Sequence, residues 1–229
     1  MKPKISIIIP CYNSARYVAE TIASVKAQTS DRWDCVIVDD GSTDRSGIII
    51  EKDTMEDERF FFVRTKNNGV AAARNLAISL CDGDYVLPLD ADDRLVPKAI
   101  EKFLSTWEKH PDADLVVPQI RRFGIGRSTA VQTREWKGYE NLKICCTPTN
   151  SSCFRRNDWE RVGGYSDGTM YEDWEFWLRL LYGHDRVVNI PEVLVEYRVH
   201  PDSRWHKAVK NDELEVSIIK KMNPKIYGK

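Results

Sequence analysis

The sequence predicts an α/β fold: a doubly wound, mixed but mainly parallel sheet with helices on both faces. Three observations predict it. Runs such as Ile5-Ser6-Ile7-Ile8-Ile9 and Cys35-Val36-Ile37-Val38 are apolar almost throughout rather than at alternate positions, as strands buried on both faces are. Between such runs, apolar residues recur at helical spacing. Each run also stops abruptly at a polar cluster, and ligands of doubly wound sheets gather at the carboxyl ends of their strands.

The first strand spans 5–9 and is closed by Pro10. Val18, Ile22 and Val25 then mark a helix, with Asn13-Ser14 as its expected caps. The second strand, 35–38, ends at Asp39-Asp40-Gly41-Ser42-Thr43-Asp44, a turn-forming cluster suited to starting another helix. The alternation continues as strand 60–64, helix 70–80, strand 85–89, helix 97–109 opened by Pro97, and strand 115–120. Over 124–149 the pattern weakens into glycine, threonine and scattered charge, as expected of a crossing between two halves of one domain. A helix over 173–182, strands 187–190 and 193–199, and a weakly helical tail over 209–219 complete the reading.

A chain of 229 residues buries a substantial core without covalent staples. Its 34 Lys plus Arg against 35 Asp plus Glu give a net charge of −1, so no global field attracts nucleic acid. The six cysteines form no C-x-x-C pair, and no secretory leader is evident before them. They are expected to be reduced thiols in a cytoplasmic protein. No uncharged stretch approaches the ~20 residues that span a bilayer.

Three acidic clusters carry the candidate chemistry. Asp90-Ala91-Asp92-Asp93 follows an apolar strand, and carboxylates two apart at an extended strand end share a side, where they suit an oxygen-loving Mg²⁺ or Mn²⁺. The plainer alternative is a solvated turn capping the next helix. Asp39-Asp40 also ends a buried strand; capping needs only one side chain, so a ligand such as a pyrimidine N–H accounts better for two. Glu172-Asp173 opens an amphipathic helix whose apolar stripe (Trp174, Trp177, Leu178, Leu181) would hold a general base rigidly. As charges at a helix N-terminus alone, they are worth only ~0.3–1 kcal/mol. Arg74, on an alanine-rich helix start, is placed to fork onto a phosphate, or is a surface cation. Arg198 and His200 offer a second phosphate or metal contact, or simply polar positions on an edge strand. Gly124-Ile125-Gly126 lacks the third glycine of a dinucleotide fingerprint, and there is no G-x-x-x-x-G-K-[ST] loop.

In order, Ile7-Ile8-Ile9-Pro10-Cys11-Tyr12-Asn13, Val38 through Asp44, Asn68-Gly69 through Asn75, Asp90 through Asp93, Gly163-Gly164-Tyr165, Glu172-Asp173-Trp174 and Tyr197-Arg198-Val199-His200 resemble the motifs of the family 2 glycosyltransferases. Each motif is weak alone, but seven in one order are specific. The resemblance implies the Rossmann-like GT-A fold and an inverting transfer from a nucleotide diphosphate sugar, most often UDP-linked, to an acceptor hydroxyl with a divalent metal. It places Pro10, Tyr12, Asn13 and Asp40 at the nucleoside, Arg74 near the base or diphosphate, and Asp90 at the donor sugar or ribose. Asp92, with Asp90, falls to the metal, Asp173 to the catalytic base, and His200 to the diphosphate and metal. It also implies one domain over 1–205, with a donor half 1–120 and an acceptor half 121–205, followed by a helical tail 206–229.

Acceptor contacts are expected from Asn150, Ser152, Glu172 and Trp174, and the acceptor is expected to be a glycan or lipid-linked glycan of the cell envelope. Lys220-Lys221 beside Ile218-Ile219 suggests weak peripheral contact with the cytoplasmic face of a membrane. The pattern departs from the family after Ser203, where Arg204-Trp205 stand in place of a small hydroxyl residue. Two other readings stay open. A sugar nucleotidyltransferase shares the fold type but needs a glycine-rich basic loop where Pro10-Cys11-Tyr12-Asn13 stands, and a non-catalytic nucleotide-sugar-binding module would leave Glu172-Asp173 without a task.

Overall fold

A computed structural model describes residues 3–124, 131–132, 135–201, 203 and 209–228. In chain order its elements are β1 (Ile5–Cys11), α1 (Val18–Lys26), β2 (Trp33–Asp39), α2 (Ser46–Thr54), β3 (Phe60–Arg64), α3 (Val70–Ser79), β4 (Tyr85–Pro88), β5 (Arg94–Leu95), α4 (Ala99–Lys109), β6 (Leu115–Gly124) and β7 (Val131–Gln132). There follow α5 (Tyr139–Leu142), β8 (Cys153–Arg155), α6 (Arg156–Val162), α7 (Glu172–Leu180), β9 (Val187–Val199), α8 (Asp212–Met222) and α9 (Pro224–Tyr227). Arg204, Trp205 and His206, and with them the departure after Ser203, lie outside the described residues, as do Ile125 and Gly126.

The strands form one sheet in the order β3-β2-β1-β4-β8-β6-β9-β5, with β7 beside β6. β1 pairs in parallel with β2 and β4, β2 with β3, and β6 with β9. β8 is antiparallel to both β4 and β6, which makes β6 run the same way as β4. β1, β2, β3, β4, β6 and β9 therefore share one direction, and only the two- and three-residue strands β5, β7 and β8 oppose it. This is the mixed, mainly parallel sheet that the sequence predicts.

Successive strand residues face opposite layers. Ile7, Ile9, Cys35, Ile37 and Leu87 meet Val18, Ile22, Ile100 and Phe103 of α1 and α4. Ile8, Val36, Val38 and Val86 meet Ala73, Ala77, Phe176 and Trp177 of α3 and α7. Each fully buried side chain of this size contributes about 1.5–3 kcal/mol. Because both faces are covered, the strands need to be apolar throughout.

Several local expectations change. α1 starts at Val18, and neither Asn13 nor Ser14 caps it with a side chain; the Asn13 amide instead accepts from the Thr43 and Asp44 N–H groups. Pro97 precedes α4 rather than opening it. The two strands expected over 187–199 are one, β9, with two register shifts opposite Pro118–Ile120 that absorb Pro191-Glu192 and Leu194. α8 lies three residues further on than its pattern suggests and packs on the main core: Ile219 is 1 % exposed. Ile219 is thus not available as the apolar half of a membrane contact with Lys220-Lys221. Among the described residues no helix is long and apolar enough to cross a membrane.

Candidate active site

Because β1, β2, β4 and β9 run one way, their carboxyl ends deliver Pro10 to Asn13, Asp40, Asp90 to Asp93, and His200 to a single rim of the sheet. There they line a cleft of about 1060 Å³, joined by Arg74 of α3, Asn150, and Glu172, Asp173 and Trp174 from the start of α7. Segments up to 190 residues apart in sequence meet because strand direction places them so.

Ligating oxygens of Asp90, Asp92 and Asp93 lie within 4.8 Å of one another. Such crowding is unfavourable for three anions. Burial and the charge of Asp90 push the Asp92 carboxyl up, against the pull of His200, whose Nε2 is 2.7 Å from Asp92 Oδ2. Burial, Asp92 and Asp90 hold Asp93 well above the usual carboxylate range, although the Arg198 backbone N–H donates to its Oδ1 at 2.8 Å. A hard divalent cation would relieve this repulsion, and the oxygen-rich donor set suits Mg²⁺ or Mn²⁺. Two buried polar atoms beside the cluster, Asn150 Oδ1 and His200 Nδ1, have no hydrogen-bond partner among the described residues, so the residues fit such an ion.

Arg74 departs from expectation. It is 2 % exposed, donating from Nη1 to Glu172 Oε1 at 2.6 Å and from Nη2 to Asp90 Oδ1 at 2.9 Å. Burial opposes its charge, but Asp90 and Glu172 outweigh burial and raise its pKa further. Its fork therefore ties Asp90 to the start of α7. Asn150 Nδ2 donates to the same Asp90 oxygen at 3.0 Å.

Asp173, next to this buried pair, is partly exposed to the cleft. Its carboxyl is raised to about 6 by burial and by Glu172, with Arg74 and the Trp174 N–H, 2.8 Å from Oδ1, pulling the other way. Asp40 is almost fully buried, and its two oxygens accept from the Asn68 and Gly69 N–H groups, each at 2.9 Å. It thereby supports the turn into α3, a structural task that the sequence did not suggest. Asp39 faces away from the cleft, accepting from the Ser42 N–H and pairing with Arg64.

Other sequence-selected residues divide similarly. Pro10 and Tyr12 line the cleft, Tyr12 half exposed, and Asn13 lines it while stapling the loops after β1 and β2. Trp174 is buried with its indole N–H on the Leu142 carbonyl, so only an edge reaches the cleft. Ser152 is fully buried and donates to the Thr149 carbonyl; Ser151, one step earlier, lines the cleft instead. Alternation into β8 is the signal that separates these serines, but three residues are too few to read it. Arg198 does not line the cleft. Its guanidinium stacks on Phe123 (4.3 Å) and Tyr17 (4.9 Å), donates to the Asp92 carbonyl and pairs with Glu20, so it shapes the acidic turn from behind. Tyr17 in turn packs on the His200 ring, 4.8 Å between centroids. Sequence reasoning missed Tyr17, Tyr171, Asp212 and Val216 in the cleft wall, none of which sits in a recognisable local pattern.

The model for "Glycosyl transferase family 2" matches residues 6–164, which hold β1 through α6 and all of the cleft up to Asn150. The chain belongs to that family. As a family 2 glycosyltransferase chain it is 29 % identical over 181 residues to the chondroitin synthase of Escherichia coli, covering 78 % of this chain but 26 % of that protein. In fold it is similar to S. aureus TarS 1–349 in complex with UDP-GlcNAc, with a TM-score of 0.75, 21 % identity, and coverage of 90 % of this chain and 61 % of that one. It is also similar to the mannosyltransferase PcManGT of Pyrobaculum calidifontis, in complex with GDP-Man and Mn²⁺, with a TM-score of 0.72, 19 % identity, and coverage of 97 % and 64 %. The GT-A architecture expected of the family is thus the architecture of this chain.

Proposed function

We propose that this family 2 chain is an inverting, metal-dependent glycosyltransferase of hexosyl or N-acetylhexosaminyl type. It moves a sugar from a UDP-sugar to a hydroxyl of a glycan or lipid-linked glycan in cell-envelope polysaccharide or glycolipid synthesis. The observation that carries this reading is Asp173. It is a partly exposed carboxylate at the first turn of α7, in the same cleft as the Asp90–Asp92–Asp93 cluster, with its pKa raised to about 6.

Tyr12 and Asp40 take the base. Asp40 is already fixed by two backbone N–H groups and keeps lone pairs for a ring N–H. Asp90, held by Arg74 and Asn150, and Asp92, held by His200, present fixed oxygens to a divalent cation, which when bound stabilises the charge of a departing diphosphate. Asp173 accepts the acceptor proton. A carboxyl near 6 is ionised at neutral pH yet closer to the operating pH than an ordinary aspartate, which makes it a better base. Direct displacement inverts the anomeric centre and needs no covalent glycosyl-enzyme. TarS in complex with UDP-GlcNAc supports a nucleotide-sugar donor, and PcManGT in complex with GDP-Man and Mn²⁺ supports the metal.

The test is a thermal-shift screen of UDP-, GDP- and dTDP-sugars with and without Mn²⁺, followed by transfer assays with the donor that responds. A Mn²⁺-dependent shift with UDP-sugars and release of free UDP are expected. Asp173→Asn should lose at least ~100-fold in transfer rate while UDP affinity stays unchanged. Release of pyrophosphate would make the chain a nucleotidyltransferase, and normal turnover by Asp173→Asn would remove the base assignment.

A further inference from the structure

Helix α7 carries the proposed base at its first turn, yet its N-cap residue, Tyr171, makes no side-chain capping bond. The turn that leads into it is held from elsewhere. Glu215, on α8 and 6 % exposed, accepts through Oε2 from both the Met170 backbone N–H and the Thr169 hydroxyl, each at 2.7 Å. Thr169 Oγ1 in turn accepts from the N–H of Tyr171, the N-cap residue of α7, at 3.1 Å. Beside this chain, Tyr171 donates its hydroxyl to Asp212 Oδ1 at 2.7 Å, and Asp212 and Val216 of α8 line the cleft. α8 is itself anchored through buried Ile219, and at its end through Asn223, whose Nδ2 donates to Glu175 Oε1 in α7.

We infer that α8 is part of the catalytic machinery and that Glu215 is a positioning residue, fixing residues 169–171 so that Asp173 stands at its working place in the cleft. The inference rests on the reading of Asp173 as base. A carboxylate more than forty residues downstream does what a local cap does elsewhere: it accepts hydrogen bonds from backbone and hydroxyl groups that a solvent-exposed turn would leave to water. Its charge also strengthens both bonds. A misplacement of the base by about 1 Å costs on the order of 100-fold in rate, so a tether on this turn governs turnover. The same helix forms one wall of the cleft next to Tyr171.

The experiment compares Glu215→Ala, Glu215→Gln and Thr169→Val with the unaltered chain and with Asp173→Asn. It reads kcat, KM for donor and acceptor, UDP affinity and the acid limb of the pH–rate profile. Glu215→Ala should lower kcat by about 10- to 100-fold and displace the acid limb, with UDP affinity within about twofold. Glu215→Gln, whose amide oxygen still accepts, should recover most of the loss. Thr169→Val, a small change at a partly buried hydroxyl, should give an intermediate loss of kcat even if Glu215→Ala fails to fold. An unchanged kcat and acid limb in Thr169→Val or Glu215→Ala, with Asp173→Asn inactive, would overturn the positioning role alone. Turnover by Asp173→Asn would instead remove the base reading on which it rests.

Discussion

At the scale of single residues the site runs on unequal neighbours. Arg74 takes Glu172 and Asp90 as partners and leaves Asp173 partly compensated, and burial with the charge of Glu172 raises the Asp173 carboxyl to about 6. Two consequences follow from that one group. As a base it must be ionised, so the transfer rate should fall about tenfold per pH unit below 6 and level off above, which a pH profile of kcat at saturating donor measures. For stability the sign is opposite to that of an ordinary salt-bridged carboxylate. The folded-state pKa lies above the unfolded value, so protonation favours the fold, and stability declines as pH rises from about 4 to about 6. Asp173→Asn should therefore be more stable than the unaltered chain at pH 7.5, by about 1–3 kcal/mol, with the difference gone below pH 4 in urea titrations. The sequence singled out Asp173 as the expected base but not the neighbours that set its pKa. Arg74 it left open between a phosphate contact and a surface cation, because no local pattern reveals that Glu172, 98 positions away, is its partner.

At the scale of elements, the glycine pair before α7 shows why motifs that look catalytic are partly architectural. Asn75 of α3 accepts through Oδ1 from the Trp159 indole N–H and the Tyr165 N–H, and donates to the Tyr165 carbonyl. Gly164 sits at φ +76°, and a Cβ there would stand 2.7 Å from that same Oδ1. Asn75→Ala should cost about 1–3 kcal/mol through the stranded N–H groups, and Gly164→Ala a similar amount through left-handed strain and loss of the same bridge. In chemical denaturation the double variant should cost clearly less than the sum, because both changes break one joint. Elements of four residues or more with a clean period were legible: β1, β2, β3, β4, α3 and α4 all fall near their predicted positions. The short antiparallel strands β5, β7 and β8 were not, because two or three residues display no period, and their pairing is decided by partners far along the chain.

On the scale of the whole molecule, the acidic cluster follows β4 whereas His200 follows β9, 108 residues beyond Asp92, yet Nε2 and Oδ2 are 2.7 Å apart. A cation bound there would join the two ends of the fold and would bind the native state alone. Mn²⁺ should raise the unfolding midpoint, by the equivalent of about 2.7 kcal/mol at a hundredfold excess over its Kd, and a chelator should reverse it. Asp92→Asn should abolish the effect. The overall architecture could be read from the sequence because apolar runs and polar stops alternate so regularly; the closing of the cleft could not, since α8 joins it by tertiary contact only. The position of β8 bears on how the chain comes to fold. The pairings among β1 to β4 are complete within the first 88 residues, but the free side of β4 is covered only when residues 153–155 arrive, antiparallel, as β8. Since a nascent chain folds from its N-terminus onward, the β4 margin of this half-sheet stays open while some 65 further residues are made. That margin is only four residues long and ends in Pro88, which has no N–H to offer an intruding strand. A strand that waits this long for its neighbour is thus poorly able to recruit a wrong one.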